Sequence, residues 1–229
     1  GTPLVTARRI GQGRVVLFDT GSGPAFQATA GQLSAALEAV GVAPEEVSHV
    51  VFTHCHPDHL WGVLDDFDDP LFPNADYLMG QVEWDYWYAP ETTSTISGDR
   101  ASMAVGARRR MEMLEDRITL FRDGEEILPG VAAHATFGHT PGHMSFELRT
   151  ANESVMVGGD AIGNHHVGFA EPGWPIGTDQ DADAAAKTRV RLLDMLSHGH
   201  MRLIGYHLPQ GGIGRVERQG DRFRFVSEG

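Results

Sequence analysis

Unbroken apolar runs and helix-spaced apolar positions take turns along this chain. Val15-Val16-Leu17-Phe18 ends at Asp19-Thr20-Gly21-Ser22-Gly23, which predicts a buried strand running into a tight turn. Leu33, Ala36, Leu37 and Val40 then recur at spacings of three and four, and Gly41 supplies a stop, so a helix is expected over 29–40. A second strand is expected over 47–53. The acidic, Pro-containing stretch 64–73 reads as a solvated loop, and Tyr77-Leu78-Met79 as a short strand. Helices are expected over 80–89 and 100–116. Short runs at 118–121, 126–128, 131–136, 144–149 and 154–158, separated by Gly, Pro, Asn or Asp, have the look of a meander and predict a second sheet. Ala185, Val190, Leu193 and Leu196 mark a helix over 180–198, followed by a strand at 202–205 and a terminal hairpin near 213–226. Two rounds of strands followed by helices predict an α+β fold, two sheets packed face to face with helices outside, as a single domain over residues 1–229.

Composition narrows the partners. The chain has 229 residues, 41% of them hydrophobic, and a formal charge of -13. That charge would repel a phosphate backbone, which argues against nucleic acid and for a small-molecule substrate. Cys55 is the single cysteine, so no internal disulfide can form, and a cytoplasmic location is expected. No apolar run approaches the roughly 20 residues that span a bilayer, and the opening Gly1-Thr2-Pro3-Leu4 lacks a basic segment followed by an apolar core. No membrane partner is expected.

The chemistry concentrates in His54-Cys55-His56-Pro57-Asp58-His59, at the end of a predicted strand. Neutral imidazole and carboxylate suit zinc, manganese, iron or cobalt, and four such groups within six residues exceed what chance composition would place. Along an extended segment His54 and His56 share one side, while Pro57 sets a turn that lets Asp58 and His59 approach from another. An isolated histidine is more often satisfied by backbone hydrogen bonds than bound to metal. Here further donors follow at strand ends: His143 closes Gly138-His139-Thr140-Pro141-Gly142-His143, Asp160 follows 154–158, and His207 follows 202–205. Cys55 should point away from its two neighbours and be a packed, unreactive thiol. Asp19 and His139 are candidates to orient ligands, with turn capping as the plainer alternative. Trp61, Trp84, Trp87, His165, Phe169 and Trp174 are candidates to line an apolar substrate pocket, although about half of the aromatics would be core anchors. Aromatics exposed on 80–116 would need cover from a second copy of the chain, as a homodimer, or from a folded lid.

The series His54-x-His56-x-Asp58-His59, then His143, Asp160 and His207, resembles the metallo-β-lactamase superfamily over nearly the whole chain. Phe18-Asp19-Thr20-Gly21 resembles that family's early strand-turn. The resemblance implies an αββα four-layer sandwich of two mixed sheets with shortened opening strands. It also implies two divalent ions, zinc foremost, with manganese, iron or cobalt as alternatives: one held by His54, His56 and His143, the other by Asp58, His59 and His207, with Asp160 bridging. Two such ions roughly 3.5–4 Å apart can share a water and lower its pKa toward neutrality, with Asp58 placed to orient the hydroxide and carry its proton to the leaving group. The stretch from Gly159-Asp160 to Trp174, with Tyr206-His207-Leu208-Pro209, most resembles the lactonase and methyl parathion hydrolase branch, which implies lactone, organophosphate or aryl-ester hydrolysis. A glyoxalase-II-like thioesterase would use a basic cluster, for which Lys187, Arg189 and Arg191 on a solvated helix face are the material. A β-lactamase and a non-catalytic metal-binding interaction protein complete the alternatives.

Overall fold

The structure, a computed structural model, describes residues 6–10 and 14–228; the opening Gly1–Leu4 lies outside them. The chain divides into two compact units, one within Leu4–Phe121 and one within Arg122–Gly229.

The first unit carries a five-stranded sheet in the order β1-β2-β3-β4-β5. Its strands are β1 (Thr6–Ile10), β2 (Arg14–Phe18), β3 (Val47–Val51), β4 (Asp76–Gly80) and β5 (Ile118–Phe121). Only β1 and β2 pair antiparallel; the remaining pairs are parallel. Parallel strands are buried on both faces, and Val15, Val16, Leu17 and Phe18 are accordingly all buried. Helices α1 (Leu33–Ala39), α2 (Pro57–Leu60), α3 (Gln81–Tyr88), α4 (Pro90–Thr95) and α5 (Asp99–Leu114) complete the unit. Ala104, Ala107, Met111 and Leu114 of α5 form its buried stripe, at spacings of three and four. The run 118–121, expected to open the second sheet, instead joins the first as β5, parallel to β4.

The second unit carries seven strands in the order β12-β11-β10-β9-β8-β7-β6. They are β6 (Glu126–Leu128), β7 (Val131–Ala135), β8 (Met144–Arg149), β9 (Ser154–Gly159), β10 (Arg202–Gly205), β11 (Ile213–Gln219) and β12 (Arg222–Ser227). All neighbours are antiparallel except β9 and β10, between which α6 (Val167–Ala170) and α7 (Ala182–His198) intervene. Asp181 caps α7, its carboxylate accepting the Ala184 N–H at 2.9 Å. The buried stripe of α7 differs from expectation: Val190 is 38% exposed, and Arg189, at 1%, takes the place between Ala185 and Leu192.

Strand direction gathers chain ends. In the first unit β2 and β3 run parallel, so Asp19 and the 54–59 segment leave from the same edge. In the second, β9 and β10 run parallel and β8 antiparallel to β9, so Asp160, His207 and the start of β8 at His143 also share an edge. The 138–143 loop is held against α7: Gly138, at φ 129°, accepts the Asp181 N–H at 3.0 Å, and an added Cβ would come within 2.2 Å of the Ala185 nitrogen. Backbone on backbone cannot give way. Gly138→Ala is therefore expected to cost about 2–4 kcal/mol, through strain and overpacking together; a urea midpoint unchanged from the parent would refute this close approach.

Candidate metal centre

In the first unit the donors follow β3. His56 is the extended residue before α2, and Pro57 occupies the first helical position, where no N–H is needed. Asp19 sits in the left-handed region at φ 62°, which Asp tolerates and which turns its carboxylate toward this segment. One oxygen accepts the Thr53 N–H at 2.7 Å; the other accepts the Thr53 hydroxyl at 2.7 Å and His59 Nδ1 at 2.9 Å. Thr53 Oγ1 also lies 2.9 Å from His54 Nδ1. A hydroxyl has one hydrogen, and Thr53 gives its own to Asp19. His54 Nδ1 must then be the donor, so His54 Nε2 carries the lone pair. His59 follows the same logic, because a carboxylate accepts from its Nδ1. Ligand-capable atoms of Asp19, His54 and His59 lie within 4.8 Å of one another. Burial pushes the Asp19 carboxyl up, opposed by His59 and by the Thr53 hydrogen bonds.

His54 and His59 are fully buried, whereas Asp58 keeps 27% of its side chain exposed, with Oδ2 3.6 Å from His59 Nε2. The His56 ring meets the Trp87 ring edge-on at 5.9 Å. Cys55 turns away, with Sγ 3.5 Å from Met79 Sδ, and burial followed by the Glu83 and Asp19 carboxylates pushes its thiol well above the ordinary value.

The second unit repeats the proton accounting. Ser145 Oγ donates to the Gly158 carbonyl at 3.0 Å and lies 2.9 Å from Thr136 Oγ1, which lies 2.8 Å from His143 Nδ1. With the Ser145 hydrogen spent on Gly158, Thr136 donates to Ser145 and His143 Nδ1 donates to Thr136. Independently, the Asp160 N–H donates to His143 Nε2 at 3.0 Å, which requires the same tautomer. Asp160 Oδ2 lies 3.1 Å from His207 Nε2 and 3.4 Å from His139 Nε2. His207 adopts φ 57°, a left-handed geometry seldom taken by non-glycine residues and concentrated where function demands it.

These donors suit a divalent ion: buried imidazoles with fixed Nε2 lone pairs, beside carboxylates. Of the side chains expected to line a pocket, several are enclosed. Trp84 and Trp87 are buried in their own unit, whereas Tyr86 and Tyr88 of the same segment are only partly buried. Phe169 is 2% exposed and packs on Phe225, so it is a core residue and not a free pocket wall. Trp61 lies under the Arg110 guanidinium, 4.4 Å from its ring, and against Gly106. Trp174 is 58% exposed, and His165 is exposed with its ring against His166. Sequence reasoning passed over Thr53, Glu83, Thr136, Ser145 and Asp179. The fully buried carboxylate of Glu83 accepts the Cys55 N–H at 2.8 Å and the Trp87 indole N–H at 2.7 Å, holding the segment between His54 and His56. Arg189, noted only as part of a solvated basic face, is buried. Adjacency to a candidate ligand, as for Thr53 beside His54, was the one signal available.

Among solved structures, the hydrolase AbOPH of the beta lactamase superfamily superposes with a TM-score of 0.90 at 27% identity, covering 98% of this chain and 79% of that one. AidC, described as a dizinc quorum-quenching lactonase in complex with a product, superposes at 0.88 over 96% of this chain and 77% of its own; its 24% identity speaks for the fold alone. The fold is thus that of the metallo-β-lactamases. The sequence profile of the metallo-beta-lactamase superfamily matches residues 4–207, and the chain belongs to that superfamily. N-acyl homoserine lactonase AttM of Agrobacterium fabrum is 26% identical over 124 residues, 53% of this chain and 43% of that relative, so the match spans less than half of it. Among the described residues no helix is long and apolar enough to cross a membrane.

If the hydroxyl relays set the histidine tautomers, Thr136→Val and Thr53→Val should each weaken zinc binding by about 10–100-fold. Competition with a chromophoric chelator reads this, and parent-like affinity in both folded variants would show that the relays do not orient the rings.

Proposed function

We propose that the chain is a metal-dependent hydrolase acting on an ester-like bond in a small molecule, with a lactone or an organophosphate or aryl ester as the substrate class. In this reading His54, His56 and His143 hold one divalent ion, Asp58, His59 and His207 hold a second, and Asp160 serves both. The supporting observation is the fixed protonation of three buried rings, which leaves Nε2 of His54, His59 and His143 without a hydrogen; in His143 that atom accepts the Asp160 N–H, a bond that a bound ion would replace. Bound ions of this kind supply Lewis acidity and lower the pKa of a coordinated water.

The protein's own groups do the rest. Asp19, Thr53, Thr136 and Ser145 fix ring orientation through the hydrogen bonds already described. Asp58, the more exposed carboxylate, is the group to take a proton at Oδ2 and pass it to the leaving oxygen. The lactone reading draws on the relation to AttM, and the organophosphate or aryl-ester reading on the sequence resemblance described above. The thioesterase alternative is weakened because Arg189, one of three cations available to a substrate carboxylate, is spent on internal partners.

Metal analysis of the purified protein should find close to two ions per chain, and His56→Ala and Asp160→Ala should each lower turnover by at least about 100-fold. A screen over lactones, phosphotriesters, aryl esters, thioesters and β-lactams identifies the substrate class. Full activity after chelation would overturn the proposal, and two ions without turnover on any of these would favour a metal-binding interaction protein.

A further inference from the structure

Arg189 is one of the largest fully buried side chains, and nothing in the proposed reaction uses it. Burying a guanidinium is costly unless its donors and charge are met, so its partners show what the position serves. Nε donates to the Pro172 carbonyl at 3.0 Å and Nη2 to the Trp174 carbonyl at 3.1 Å, while Nη1 and Nη2 each lie 3.4 Å from Asp179 Oδ2. One planar fork therefore pins both ends of the 172–179 loop. Asp179 spends its other oxygen on His139 Nδ1 at 3.1 Å, and His139 Nε2 lies 3.4 Å from Asp160 Oδ2. The backbone reinforces the connection, since Gln180 and Asp181 donate their N–H groups to the His139 and Gly138 carbonyls at 3.1 and 3.0 Å.

That loop presents Trp174, the most exposed tryptophan whose accessibility the structure gives, at 58%. Holding a large apolar side chain in water on a loop whose backbone is clamped from inside is a recognition geometry, because the loop has little conformational freedom left to lose. We infer that Arg189 is a positioning residue that couples the Trp174 loop, a recognition element for an apolar substituent of the substrate, to Asp160 through Asp179 and His139. The inference rests on the proposed role of Asp160 as a metal ligand. Loop and ligand are then set by one buried cation, and disturbing it moves both.

The test compares Arg189→Lys, Trp174→Ala and the parent. Lysine keeps the charge but loses the fork that reaches two carbonyls and a carboxylate together. Zinc affinity of each apo-protein is measured by chelator competition with no substrate present, and KM and kcat are measured on 4-nitrophenyl acetate and 4-nitrophenyl octanoate. Arg189→Lys is expected to weaken zinc binding by about 10-fold and to raise KM for the octanoate more than for the acetate. Trp174→Ala should reproduce the KM effect and leave zinc affinity unchanged. A folded Arg189→Lys with zinc affinity within twofold of the parent overturns the coupling. So does an equal loss of affinity in Leu193→Ala, a core variant outside the network matched for loss of melting temperature. If Arg189→Lys does not fold, Asp179→Asn, which keeps an acceptor for His139 but removes the charge facing Arg189, carries the same criteria. Failure of the parent to bind zinc at all overturns the metal reading itself, and is distinguishable because it precedes any comparison of variants.

Discussion

A hydroxyl group has a single hydrogen to give, and the protonation of two buried imidazoles hangs on where two threonines give theirs. Thr53 commits its hydrogen to the Asp19 carboxylate, so it can only accept from His54. Thr136 commits its hydrogen to Ser145, which has already committed its own to a main-chain carbonyl, so it can only accept from His143. Each imidazole is thereby left with its outer nitrogen bare of hydrogen. The preference comes from neutral groups and one buried carboxylate, and it needs no ion to be in place beforehand.

The backbone makes this accounting hold. Parallel pairing of β2 with β3, and of β9 with β10, puts the exits of the donor-bearing segments of each unit side by side. At those exits the chain bends abruptly, and two non-glycine residues, Asp19 and His207, take left-handed conformations that stiff or branched side chains would resist. Glycines serve the close approaches: a Cβ at Gly62 would lie 2.1 Å from the Thr20 carbonyl, in the turn where Thr20 bonds the end of α2. The donor segments are thus held by main-chain contacts as well as by side chains.

Much of this was legible from residue order. Strands at 118–121, 144–149 and 202–205 and the terminal hairpin stood where the apolar runs put them, because short runs bounded by Gly, Pro or Asp have few alternatives. Sheet membership was not legible: Ile118–Phe121 looks like the first strand of a meander until its parallel partner β4 is known, and strand pairing is a long-range choice that local pattern does not encode. The imidazole and carboxylate cluster announced itself through density. The threonines and serine behind it carry no spacing of their own, and apart from Thr53 standing beside His54 nothing in their positions marks the bonds they make. Arg189 misled, and Glu83 went unmarked, for a related reason: charged side chains on helices are ordinarily solvated, and only the folded packing shows that each is enclosed and bonded.

Cys55 separates two worlds within three consecutive residues. Behind the backbone its sulfur lies against the sulfur of Met79, a soft and polarisable pair sealed in apolar packing, while on either side of it His54 and His56 offer nitrogen. A slip of this segment by one residue would exchange the two faces and present a thiol where an imidazole now stands, and soft metals would then be favoured over borderline ones. The Glu83 clamp on the Cys55 N–H fixes which face is shown, so the donor atoms that the segment offers are set by backbone register as much as by side-chain identity.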